Sequence, residues 1–196
     1  MSTHTSTSAP PGARTLTEFC ALAELGDEAR ALLKPSHRPR EYVELLAERE
    51  LFPDAVRFLA HALPKREGIW WAWVCAKRAE GEAPEAALKA ALDATERWIT
   101  QPTDENRRAA MRAAEAATFG TAAGCTALAV FFSGGSLGPP DQAVVPPGEF
   151  MSAKALTGAV KLAAVSKEPD KAPEKFRGFI AQGLDVVSKL KLWGDA

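Results

Sequence analysis

An all-α fold is what this sequence predicts: an irregular multi-helix bundle of about eight helices, with a Gly/Pro-rich loop before a C-terminal helical hairpin. Three observations carry that expectation. Alanine supplies close to a fifth of the 196 residues while tyrosine occurs once, a bias toward helix and away from strand. Apolar residues recur at steps of three and four along most of the chain. Capping residues and prolines punctuate that pattern where helices would start and stop. The organisation read from these signals is a disordered leader over 1–14, a helical bundle over 15–132, the loop over 133–150, and the hairpin over 151–196 packed on the bundle.

The first helix is expected to start at Thr15, since Thr15-x-x-Glu18 is a capping box, and to run unbroken to about Leu33 before Pro35. After the turn Pro35–Pro39, a second helix spans Arg40 to Glu50 with Val43, Leu46, Ala47 and Leu51 at helical spacing. Pro53 fits the first turn of a third helix, whose stripe is Val56, Leu59, Ala60 and Leu63. Pro64 ends it and opens the next, Glu67 to Glu80, which carries Trp70, Trp71 and Trp73. Leu88, Ala91, Leu92, Thr95, Trp98 and Ile99 mark a fifth helix of clean amphipathic spacing. Thr103 is an N-cap for a sixth, with Asp104 and Glu105 complementing the helix dipole and a row of alanines on one side. Gly120 is expected to end that helix, and Thr121 to Phe132, apolar on nearly all sides, belongs at the centre of the core. Helices over Ser152–Ser166 and from Pro173 to about Leu192 form the hairpin. The helices show no fixed repeat period, which argues against a repeat array.

Several function classes receive no support from composition. With 24 basic and 25 acidic residues the net charge is −1, so nothing in the overall charge favours nucleic acid or an anionic membrane. The longest apolar run, Thr121 to Phe132, is far short of the ~20 residues that span a bilayer. The Ser/Thr/Pro-rich start lacks the basic and apolar regions of a signal peptide, so the expected location is the cytoplasm. Cys20, Cys75 and Cys125 are too far apart for a metal pattern and read as small buried hydrophobes.

The motifs with possible chemistry are few. Gly134-Gly-Ser136-Leu-Gly138 satisfies the G-x-S-x-G pattern of a nucleophile elbow, but Pro139-Pro140 forbids the helix that must follow the serine, and the run before it reads as helix rather than strand. His61 has no second ligand one turn away and reads as a satisfied or surface histidine. The tryptophans cover two faces of their helix, as expected where neighbours enclose it; an interface is the alternative. Arg107 and Arg108, with Arg112, form a cationic strip facing away from the alanines, expected to be solvated, with an acidic partner as the alternative. The loop joins apolar residues to rigid turns, which makes it the candidate protein-binding surface: Phe131, Phe132, Gly134, Gly135, Leu137 and Asp141, with Arg107 and Arg108 beside them. The other reading is a strap packed over the bundle. No catalytic, metal or cofactor constellation emerges, so the expectation is a protein that binds another protein and is not an enzyme.

Four segments together, Phe58-Leu-Ala-His-Ala-Leu-Pro64, Trp70-Trp-Ala-Trp73, Pro102-Thr-x-x-Asn106-Arg-Arg108 and Phe132-Ser-Gly-Gly-Ser-Leu-Gly-Pro-Pro-Asp141, resemble an uncharacterised family of bacterial α-helical proteins associated with type VI secretion system loci. That resemblance, over roughly 40–190, implies an accessory or adaptor protein, or a chaperone, for a secreted effector or spike component. The alternative is an immunity protein that neutralises one cognate toxin, although a net charge of −1 lacks the bias such a binder usually carries. The resemblance supplies no catalytic residues.

Overall fold

The segment Thr121–Phe132 has almost no polar face to offer water, and the other helices are arranged to cover it. The computed structural model describes residues 15–193 and folds them into ten α-helices, with no strand among the described residues. In chain order they are α1 (Leu16–Leu22), α2 (Asp27–Ala31), α3 (Pro39–Glu48), α4 (Phe52–Ala62), α5 (Lys65–Glu80), α6 (Ala86–Thr100), α7 (Asp104–Ala117), α8 (Ala122–Phe131), α9 (Met151–Val165) and α10 (Ala172–Lys189). A 3-10 turn, Pro169–Lys171, precedes α10. The expected leader, 1–14, lies outside the described residues.

Helix α8 is buried along nearly its whole length and packs against α5, α6, α7 and α9. Helix α9 inserts Leu156, Ala159, Val160 and Ala163 between α4, α5, α8 and α10. Helix α10 then closes the side formed by α3, α4, α5 and α9 with Phe176, Phe179, Ile180, Leu184 and Val187. The α5–α10 contact is close: a Cβ at Gly183 would lie 3.1 Å from the Trp71 ring and 3.0 Å from Leu59. The indole Nε1 of Trp71 donates to the Phe179 carbonyl at 2.8 Å, so this fully buried tryptophan leaves no polar atom unpaired. The single tyrosine, Tyr42, is also fully buried and donates to the Ala29 carbonyl at 2.7 Å, tying α3 to α2.

Three local expectations are corrected. The first helix is two. The Thr15 capping box forms, but the chain turns at Glu24, whose φ is +52°. Leu25 N–H bonds back to the Cys20 carbonyl, and Gly26 N–H donates to Asp54 on α4 at 2.9 Å. A contact from another helix thus sets the break, and apolar spacing does not reveal it. Helix α7 ends at Ala117 rather than at Gly120, with Thr118 at φ +62°. Thr121 serves both sides of that corner, donating to the Ala117 carbonyl and accepting from Gly124 N–H, each at 3.0 Å. Finally, α5 is not enclosed: Trp71 is core and Trp73 half-buried, while Trp70 is 37% exposed.

The α7–α8 corner requires glycine at 124, because a Cβ there would sit 2.0 Å from the Thr118 carbonyl oxygen. A methyl group cannot be accommodated without moving backbone. We therefore expect Gly124→Ala to lower stability by about 1–3 kcal/mol, as overpacking does, seen as a fall in the denaturant midpoint with an unchanged helical circular dichroism spectrum.

Candidate functional site

The loop over 133–150 is held to the bundle by two arginines at the start of α7. Thr103 caps that helix by accepting from Asn106 N–H, and Asp104 follows in the first turn. An aspartate at this point can meet residues three and four positions later on the same helix face, and it meets both. Arg107 Nε donates to Asp104 Oδ1 at 2.8 Å, and Arg108 Nε to Asp104 Oδ2 at 2.7 Å. The rest of each guanidinium turns to the loop. Arg107 Nη1 donates to the Phe131 carbonyl and Nη2 to the Ser136 carbonyl, both at 2.8 Å, while Arg108 Nη1 donates to the Gly138 carbonyl at 2.9 Å. The Arg107 guanidinium also lies over the Phe131 ring, 4.7 Å from its centroid.

Only 3% of Arg107 is exposed, which corrects the expectation of a solvated cationic strip. Burial of an unpaired cation would be prohibitive; here the charge faces a carboxylate and the guanidinium donors end on carbonyls. The same two arginines hold the Asp104 carboxyl below its ordinary range, with hydrogen bonding from Arg108 the largest cause and Arg107 next. Arg112, by contrast, is exposed.

The loop adds its own bonds. Ser136 Oγ accepts from Gly138 N–H at 3.2 Å and Val145 N–H at 3.1 Å, and Leu137 N–H donates to the Val145 carbonyl at 2.8 Å. The hydroxyl of the G-x-S-x-G motif is therefore the pin of a turn. Gly135 has φ +67°, and a Cβ there would lie 2.8 Å from Arg107 Nε, so both backbone conformation and proximity demand glycine. Lys65 at the start of α5 donates to the Ser133 carbonyl at 2.9 Å. Of the loop residues singled out from sequence, Phe131 is buried, Phe132, Gly134 and Leu137 are half-buried, and Gly135 and Asp141 are exposed. Sequence reasoning missed Val144 and Val145, exposed to 75% and 52% between two proline pairs. It also read Asp104 only as a dipole partner, although its spacing to Arg107 and Arg108 was the available signal.

Other reactive groups are sealed. All three cysteines are buried; burial pushes the Cys125 thiol up to about 11, and Cys20 and Cys75 also rise, so none offers a ready thiolate. Among the described residues no three His, Cys, Asp or Glu side chains gather as a metal set. Nor is any described helix long and apolar enough to cross a membrane. His61 departs from the expected satisfied histidine: Nδ1 meets the Arg57 carbonyl at 2.8 Å, but Nε2 is buried without a partner among the described residues.

Two predictions follow from this chemistry. Replacing Arg107 with methionine keeps bulk but strands the Phe131 carbonyl and leaves Ser136 only the 3.4 Å bond from Arg108 Nη2. Unpaired buried polar groups cost about 1–3 kcal/mol, so the variant should melt several degrees lower and be cut faster by protease within 133–148. The second concerns pH. Burial lowers the His61 pKa, with Glu24, Arg57 and Lys154 as the charges facing it. The folded state therefore favours neutral imidazole more than the unfolded chain does. The resulting stability is fully present above the ordinary histidine pKa of about 6.5 and is lost as pH falls below it. Denaturant midpoints measured between pH 8 and 5 should decline on that limb, and His61→Gln should flatten the decline.

No curated protein and no solved structure matches the chain. A family pattern does match, over residues 42–187, a span that contains α4 through α9 whole and every residue of the arginine clamp. By that match the chain belongs to DUF6931, a family of unknown function.

Proposed function

We propose that this chain is a non-catalytic protein-binding module, and that the clamped loop is the face it presents to a partner. The observation that carries the reading is the pairing of a fixed backbone with exposed apolar side chains. The Arg107 and Arg108 bonds and the Ser136 pin immobilise the loop, while Val144 and Val145 stand in solvent. The two valines present apolar surface to solvent, and a surface ordered in advance loses less entropy when it binds. The resemblance of the four sequence segments to a family associated with type VI secretion loci supports an adaptor or chaperone role. The proposed partner is a secreted effector or spike component, and the proposed setting is the bacterial cytoplasm.

The test compares the tagged full chain with a Val144→Glu/Val145→Glu variant in the native host, by crosslinking and mass spectrometry. Both side chains point to water, so the variant should fold and melt like the parent. We expect an effector or spike protein to crosslink to the loop in the parent and to fall at least tenfold in the variant. Capture that is indifferent to the two glutamates would remove the loop from consideration. A single small toxin, captured in place of secretion components, would replace the adaptor role with immunity.

A further inference from the structure

Helix α5 turns one face outward, on which Trp70 and Lys77 are exposed and Val74 is half-buried. Gly68, Ile69, Trp71, Ala72, Cys75 and Ala76 are its buried residues, so Trp70, Val74 and Lys77 lie on the opposite side. Along the edge of that face stand Glu67, half-buried, and Arg78, exposed, whose Nη1 lies 3.8 Å from where a Cβ at Gly178 of α10 would be. Eleven residues make about three helical turns, so these two opposite charges share one stripe, ~16 Å apart. Neither makes a hydrogen bond or ion pair among the described residues. Beside the C-terminal half of the face, α6 rises to form an open cleft of about 570 Å³, whose lining includes Trp73, Val74, Lys77 and Leu92. Lys77 Nζ lies 4.7 Å from the Trp73 ring centroid. Trp70, one turn earlier, is exposed and is not part of that lining.

The order along the stripe is acid, tryptophan, valine, base. Such an order reads the same when the helix is reversed and its charges are matched to a copy of itself, which is the condition for a two-fold interface. We propose that α5 pairs antiparallel with α5 of a second copy of this chain, the two-fold axis crossing near residues 72 and 73. That axis brings Glu67 of each copy to Arg78 of the other. It also carries Trp70 of each copy to the level of residue 75 of its mate, between Val74 and Lys77, where the cleft is open. The tryptophan of one copy is the knob and the α5–α6 cleft of the other the hole, with the Lys77 ammonium placed to meet the indole face. This pairing does not depend on the loop binding a partner, because every group it uses lies on α5 and α6.

Sedimentation velocity on the full chain over a concentration series tests it. We expect a monomer–dimer equilibrium in the wild type and at least a tenfold weaker association for Trp70→Ala. Glu67→Arg and Arg78→Glu should each weaken association several-fold, and the double variant carrying both should regain most of the loss. In an Arg78→Lys variant, a zero-length carbodiimide reagent should join position 78 to Glu67 only between chains, since within one chain they are ~16 Å apart. A wild type monomeric at 200 micromolar, a dimer that Trp70→Ala leaves intact, or the absence of that crosslink from a dimer would each overturn the proposal.

Discussion

A guanidinium ion inside an apolar bundle is tolerable only when its charge and its donors are met, and the structure around Arg107 is organised by that condition. Its side chain sits between the first turn of α7, the last turn of α8 and the loop that follows. Each of those three contributes an acceptor, so none can move away without leaving part of a cation unpaired. Asp104 stays ionised through contact with both arginines, and Gly135 stays glycine because the guanidinium occupies the space of a Cβ. The loop over 133–150, rich in glycine and proline and with little regular hydrogen bonding of its own, thereby acquires a fixed course.

Close approach of backbones is the second constraint, and small residues supply it. The alanines of α7 let it lie against α8, Gly124 admits the Thr118 carbonyl, and Gly183 admits the Trp71 ring. Packing of this kind is sensitive to single added methyl groups because interiors have few voids into which to relax. It also accounts for how α9 can occupy the middle of the bundle between four other helices.

The helices were legible in the sequence because each carries its own signal: apolar spacing in α6, an N-cap in α7, uniform apolarity in α8, proline at the start of α4. The errors share a different origin. The break at Glu24 depends on Asp54 of another helix, and the end of α7 depends on Thr121 and Gly124 beyond it. Arg107 and Arg108 looked like a solvated strip because their acceptors are backbone carbonyls, which carry no mark in a sequence. The loop is located by Gly and Pro alone, and a strap is one of its two sequence readings, but nothing in the sequence marks the carbonyls by which it is clamped. Likewise, the tryptophan cluster showed that α5 was unusual, while only the packing of α6 and α10 decided that Trp71 is core and Trp70 is surface.

The loop, on this structure, is a fixed part of the bundle. The most direct measurement is residue-resolved hydrogen exchange on the unmodified protein, read at the Leu137 and Val145 amides. Those two N–H groups donate to the Val145 carbonyl and to Ser136 Oγ, bonds that exist only while the clamp holds the loop in place. Exchange at both positions should be slowed at least a hundredfold relative to an unstructured peptide, in step with amides in the interior of α7. Exchange at the unprotected rate, with α7 and α8 still protected, would contradict it.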